Sequence, residues 1–100
     1  MKNIILLIPF ILVSQYALIA QNAINGIITD EDLVPVFGAD IYIEQLHIGT
    51  TSDEDGLFDL KNIPNGIHKL SISFVGFNTE NIEINIPSDQ SVLKITLRSS

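Results

Sequence analysis

From Gln21 onward the apolar residues of this chain recur at every second position. Ile24, Gly26 and Ile28 alternate with Asn25, Ile27 and Thr29, and Ala39, Ile41 and Ile43 with Asp40, Tyr42 and Glu44. Leu70, Ile72 and Phe74 alternate with Lys69, Ser71 and Ser73, and Ile82, Ile84 and Ile86 with Asn81, Glu83 and Asn85. Leu93, Ile95 and Leu97 do the same against Val92, Lys94 and Thr96. Successive side chains of a strand point to opposite faces, so each run offers one face to a core and the other to water. No i, i+3, i+4 pattern persists for two helical turns after residue 20, which leaves no amphipathic helix to build with. The expectation is an all-β chain.

Turn residues separate the runs: Asp32-Leu33-Val34-Pro35, Asp53-Glu54-Asp55-Gly56, Pro64-Asn65-Gly66, Gly76 with Asn78, and Pro87-Ser88-Asp89. Glycine supplies positive φ in such turns while short acidic side chains bond nearby amides. The spacing predicts strands over 24–29, 38–45, 48–52, 57–60, 67–75, 78–86 and 91–97. Strands at such regular intervals mark a sandwich or a barrel. Two antiparallel sheets stacked face to face bury both apolar faces at once, which favours the sandwich. The expected inward set is Ile24, Ile28, Ala39, Ile41, Ile43, Phe58, Leu60, Ile63, Leu70, Ile72, Phe74, Ile82, Ile84, Leu93, Ile95 and Leu97.

What precedes the alternation is different in kind. Lys2 is followed by an almost unbroken apolar run over 4–13, a weakly polar stretch (Ser14, Gln15, Tyr16) and the small Ala20. This is the pattern of a secretory signal over residues 1–20, with the folded domain over 21–100. A membrane anchor is the rival reading. It needs about 20 uninterrupted apolar residues and a cationic flank, but Ser14 and Gln15 break the run and the next cation is Lys61. About 80 residues remain to fold once the signal is set aside, too few for a second domain or a large enclosed pocket. Cysteine is absent, which excludes disulfides, Cys-based zinc sites and lipid attachment through a Cys. The net charge of −7 becomes −8 without Lys2. Nucleic acid and anionic lipid both require a cationic face, so neither is an expected partner. An acidic surface keeps a small exported domain soluble.

The order of the motifs is more specific than any one of them. Ile24-x-Gly26-x-Ile28-x-Asp30 is followed by Pro35-x-x-Gly38-Ala39-x-Ile41 and by Gly49-Thr50-Thr51-Ser52-Asp53-Glu54-Asp55-Gly56-Leu57-Phe58-Asp59-Leu60. Asn62-Ile63-Pro64-Asn65-Gly66, Leu70-x-Ile72-Ser73-Phe74-Val75-Gly76-Phe77 and Leu93-x-Ile95-x-Leu97 complete the series. In order and spacing this closely resembles the carboxypeptidase-regulatory-like domain across essentially all of the chain after the signal. The resemblance implies a transthyretin-like fold, a seven-stranded antiparallel Greek-key β-sandwich. Gly76 between Phe74 and Phe77 fits a bend that returns the ring to the core. One position departs from the family's pattern: the first turn carries Leu33 where glycine is usual. Leucine is costly at φ > 0, so a turn of different shape or length is expected there.

Domains similar to this stand at the N-terminus of SusC-type TonB-dependent outer-membrane receptors, beside metallocarboxypeptidases, and within exported surface proteins. A signal followed at once by the domain is the receptor arrangement. The resemblance therefore implies an exported, non-catalytic accessory domain of a nutrient-uptake receptor, placed in the periplasm or at the outer membrane and cell surface. Its partner would be a protein of the cell envelope, the receptor plug and barrel or a TonB-type system. Two alternatives stay open: a free-standing secreted or surface module that binds a glycan, peptide or protein, and a structural spacer. The TonB-contacting segment, plug and barrel of such receptors are absent before Ser100. The chain is thus either an independent short protein or the front of a longer reading frame.

Candidate chemistry is sparse. Asp53-x-Asp55-Gly56 has the opening of a calcium loop but lacks the remaining ligands and the closing Glu, and reads as a hairpin turn. Asp30, Glu31 and Asp32 form a second acidic turn. His47 and His68 stand at no metal-binding spacing. There is no G-x-S-x-G and no Ser beside a His, the arrangements nucleophilic catalysis needs. Carboxylates in polar turns lack the burial that tunes a general acid. No catalytic residue, metal ligand, cofactor or enzymatic activity is expected; the zinc of the carboxypeptidase neighbours belongs to a separate domain. Of the aromatics, Tyr16 falls in the signal, and Tyr42, Phe37 and Phe77 lie in the domain. Tyr42 faces outward and Phe37 precedes Gly38, so the two either form a contact patch or pack locally. An edge strand over 78–86 or 91–97 is a candidate for docking by strand addition.

Overall fold

The computed structural model describes residues 22–88 and 92–100; the expected signal, 1–20, lies outside them. Seven strands are present among the described residues: β1 (Ala23–Thr29), β2 (Asp40–Ile43), β3 (Ile48–Thr51), β4 (Leu57–Lys61), β5 (Gly66–Ser73), β6 (Glu80–Ile86) and β7 (Leu93–Thr96). They form two sheets, one of three strands in the order β4-β1-β7 and one of four in the order β3-β2-β5-β6. The all-β sandwich expected from the alternation is the fold observed. Several strands are shorter than expected. β2 begins after Gly38, whose φ is 88°. It ends at a 3-10 turn, Glu44–Leu46, closed by the His47 N–H donating to the Glu44 carbonyl at 3.2 Å.

One pairing departs from the antiparallel expectation. β1 and β7 run parallel, from Gly26 opposite Leu93 to Thr29 opposite Thr96. The other pairs are antiparallel, with Ile24 opposite Leu60, Ile41 opposite Ile72 and Leu70 opposite Ile82. Alternation fixes the face a side chain takes and carries no information about strand direction. A parallel pair needs a long crossover between its strands, and here all of β2 to β6 lies between them.

The core sits between the sheets. Ile24, Ile28, Phe58, Leu60 and Ile95 from one sheet meet Ile41, Ile43, Leu70, Ile72, Ile84 and Ile86 from the other, with Val36, Ala39, Ile63 and Leu97 closing the ends. Gly26 shares the inner face with Ile24 and Ile28, and a Cβ there would overlap the Phe58 ring that covers it. Three expected core residues are not fully buried. Ile82 and Leu93 are half-buried against the core, and Phe74 is 37% exposed. β5 ends at Ser73, and a turn over 74–77, in which the Phe77 N–H donates to the Phe74 carbonyl at 3.1 Å, carries Phe74 outward and lays Phe77 on the core.

Val36 and Ile86 were not in the expected set and are buried. Ser52 is buried too, and its hydroxyl explains why a polar group is tolerated there. It donates to the Val36 carbonyl at 2.7 Å and accepts from the Ala39 N–H at 2.9 Å, tying the approach to β2 onto the end of β3.

Strand directions gather the connections at two ends. The ends of β1, β3, β5 and β7 and the starts of β2, β4 and β6 share one of them, here called apical. Past β7 the chain crosses over this end. The Leu97 N–H donates to the Thr29 carbonyl at 2.8 Å, the Asn78 N–H to the Arg98 carbonyl at 2.9 Å, and the Ser100 N–H to the Gly76 carbonyl at 3.1 Å.

Candidate functional site

The apical end is built on two turns with matching sequences, Asp30-Glu31-Asp32-Leu33-Val34 and Asp53-Glu54-Asp55-Gly56-Leu57. Asp30 Oδ1 accepts from the N–H groups of Asp32 at 2.8 Å and Val34 at 3.0 Å. Asp53 Oδ1 accepts from those of Asp55 and Leu57, both at 2.9 Å. In each turn the fourth residue's N–H donates to the first residue's carbonyl, Leu33 at 3.0 Å and Gly56 at 2.9 Å. The first residue's N–H in turn donates to the fifth residue's carbonyl, at 2.9 Å in both. The fourth residue has positive φ, 66° at Leu33 and 79° at Gly56. The expectation that Leu33 forces a different turn is therefore corrected. The Asp30 carboxylate and the backbone bonds hold leucine in a left-handed conformation that it would not otherwise favour.

These turns are far apart in sequence and adjacent in space. The Ile28 N–H donates to the Gly56 carbonyl at 2.8 Å, and Gly56 packs on Ile28 and Pro35, which flank the first turn. Glu31 reaches across to the last residues, accepting from Arg98 Nη1 at 3.5 Å and from the Ser99 N–H at 3.4 Å. Arg98 is the one Lys or Arg in the apical connections among the described residues. In the Asp53-x-Asp55-Gly56 run, Asp53 Oδ1 is committed to two amides. Among the described residues no three Asp, Glu or His side chains are grouped so as to hold a metal ion.

Apolar side chains also crowd this end. Leu33, Val34, Phe37, Phe74 and Val75 are all exposed in its turns. Phe74 packs beside Gly38 and faces Phe77 at a ring-centroid distance of 6.0 Å. Gly76, at φ 90°, is the third residue of the 74–77 turn and leaves Val75 at its tip.

The other residues singled out from sequence are placed elsewhere. Tyr42 lies on the outer face of the four-stranded sheet, over Gly49, with its hydroxyl 3.4 Å from His47 Nδ1. His68 Nε2 donates to the Pro64 carbonyl at 2.8 Å. Phe37 thus belongs to the apical end and Tyr42 to a sheet face, so they do not form a common patch. A cleft of about 380 Å³ between β6 and the three-stranded sheet is lined by Ile24, Asn25, Glu83, Ile84, Asn85, Pro87, Ser88 and Leu93. Glu83 is the one carboxylate in its lining. Sequence reading missed the grouping of apolar residues at one end, because they are divided between the β1–β2 and β5–β6 connections, which lie far apart in sequence.

The chain matches the CarboxypepD_reg-like domain over residues 24–100. It is 29% identical over 80 residues to a TonB-dependent receptor of Formosa agariphila, a match covering 80% of this chain and 7% of the receptor. It is 30% identical over 83 residues to the TonB-dependent receptor SusC of Bacteroides thetaiotaomicron, covering 83% of this chain and 8% of that one. The chain thus spans less than a tenth of the length of these relatives. A chain of a type II cohesin–X-dockerin complex from Acetivibrio cellulolyticus superposes with a TM-score of 0.66 at 17% identity, over 78% of this chain and 58% of that one. The Bacillus anthracis TIE protein does so with a TM-score of 0.56 at 17% identity, over 80% of this chain and 17% of that one. Likeness at such identity speaks to the β-sandwich alone. The motif order, the two-sheet fold and the match over 24–100 agree, and the chain belongs to the CarboxypepD_reg-like domain family.

Proposed function

We propose that this chain is a non-catalytic accessory domain of a TonB-dependent outer-membrane receptor, exported through residues 1–20 and acting by contact with another protein of the cell envelope. The observation that carries this reading is the 29–30% identity to two TonB-dependent receptors over 80 and 83 residues. The chemistry of the domain supports it. The two acidic turns spend the Oδ1 atoms of Asp30 and Asp53 on backbone amides, and the core is filled by aliphatic side chains and Phe58. What the sandwich offers is surface. The reading frame beyond Ser100 tests the proposal first: an in-frame plug and barrel is expected, and a stop codon beside an unrelated gene overturns it. In such a receptor, deleting 21–100 should leave the barrel in the outer membrane while TonB-dependent uptake falls. Unchanged uptake would refute a functional role. Mass spectrometry of the envelope protein should find Gln21 at the N-terminus; a retained Met1 would overturn the signal assignment.

A further inference from the structure

We propose that the apical end of the sandwich is a docking surface for a cationic polypeptide, with Leu33, Val34, Phe37, Phe74 and Val75 at its centre and the carboxylates of the two acidic turns as its rim. This rests on the protein-contact reading above and adds to it a surface and a partner chemistry. Single apolar residues scattered over a surface are ordinary. Here five of the exposed large apolar residues share the turns of one end, Val75 at 89% and Leu33 at 78% exposed, and Leu57 closes the second acidic turn at the same end, whereas Tyr42 and Ile67 stand separately on strands. An exposed apolar group of this kind, rimmed by polar residues, has the anatomy of a protein interface.

The rim decides the occupant. Asp30, Glu31, Asp32, Asp53, Glu54 and Asp55 lie in two adjacent turns, and the nearest guanidinium, Arg98, is already engaged by Glu31 at 3.5 Å. Carboxylates separated by less than a Debye length, about 8–10 Å, act together. Their field draws in a lysine- and arginine-rich surface and repels an acidic one. A second copy of this chain, at −7 overall, is disfavoured on the same ground. The surface is also preorganised. Both turns are closed by carboxylate–amide bonds, and Ser100 is bonded to Gly76 beside Val75. Little ordering cost falls on binding. In a receptor that continues past Ser100, the following segment leaves from this same end, which raises its effective concentration at the surface.

Site-specific photo-cross-linking in cells of the native organism, in the full-length chain, tests this. Benzoylphenylalanine is placed at Phe37 or Val75, with Ile67 and Tyr42 as control sites. The expected result is one protein adduct from the apical sites and none from the controls, with the linked peptide rich in Lys and Arg. The triple reversal Asp32→Lys, Glu54→Lys, Asp55→Lys leaves intact the Asp30 and Asp53 bonds that close the turns. It should cut the adduct yield about tenfold or more, as removing rim charge slows encounter, while the melting temperature moves by only a few degrees. Adducts from Phe37 that survive the reversal, or that map to an acidic segment or to lipid, overturn the proposal. Adducts from Ile67 or Tyr42 instead would sink this surface and leave the protein-contact reading standing. No adduct from any site sinks both.

Discussion

The turns over 30–34 and 53–57 share an Asp-Glu-Asp start, the same carboxylate–amide bonds and the same left-handed fourth residue, yet that residue is leucine in one and glycine in the other. What differs is the surroundings. Leu33 points into solvent. Gly56 is buried under the end of β1, and a Cβ there would overlap the Ile28 carbonyl oxygen and stand 3.2 Å from Pro35 Cβ. A glycine at positive φ therefore answers two separate demands. The torsional one costs an L-residue about 1–2 kcal/mol, which a well-bonded turn can absorb. The steric one, where backbone meets backbone, has no flexible partner to give way.

Gly56→Ala breaks the comparison most severely. It adds the torsional cost to a clash with β1, and about 3 kcal/mol of lost stability is expected. That is a fall of roughly 12–24 °C in melting temperature for a domain of this size. Leu33→Ala, which keeps an L-residue in open space, should move it little. A loss at Gly56 of only about 1 kcal/mol, torsional strain alone, would show that β1 does not constrain the second turn.

Removing the carboxylates comes next. Asp30→Ala and Asp53→Ala each free two amides at a solvent-exposed turn, for about 1 kcal/mol. The Asn variants keep the accepting Oδ1 and should recover most of it. The loss should be larger at Asp30, whose bonds hold a strained leucine, than at Asp53, whose turn has glycine. Equal losses in chemical denaturation would mean that the backbone bonds hold Leu33, its own N–H to the Asp30 carbonyl at 3.0 Å and the Asp30 N–H to the Val34 carbonyl at 2.9 Å.

The fold was legible where physics is local. Period-two alternation placed Ile41 and Ile72 on one inner face, where the register sets them opposite each other. It could not orient β7 against β1, because both directions satisfy the same alternation. Phe74 continued the pattern of β5 and was expected inside, but the turn closed by Phe77 begins at that residue. Ser52 gave no hydrophobic signal, and its burial depends on partners at Val36 and Ala39 that only the fold supplies. At Leu33, intrinsic preference pointed the wrong way. The better signal was the recurrence of Asp-Glu-Asp at 30–32 and 53–55, which announces one turn type twice. The apical surface was illegible for a different reason: Leu33 and Phe37 lie in the β1–β2 connection and Val75 in the β5–β6 connection, and topology alone brings the two connections to one end.

Leu33→Gly is the smallest perturbation and the one that ties stability to the surface. Glycine relieves about 1–2 kcal/mol of torsional cost and gives back about 0.4–1 kcal/mol through a freer unfolded chain. A net gain near 0.5 kcal/mol is expected, seen as a rise of about 2–4 °C in melting temperature. The same change removes an apolar side chain from the apical centre, so the Phe37 cross-link should weaken in a domain that has become more stable. Destabilisation and lost binding usually travel together, and a variant that separates them cannot owe its binding defect to unfolding. If stability rises and cross-linking holds, Leu33 lies outside the contact. If stability falls, the leucine side chain makes contacts worth more than its strain, and the two turns are not equivalent after all.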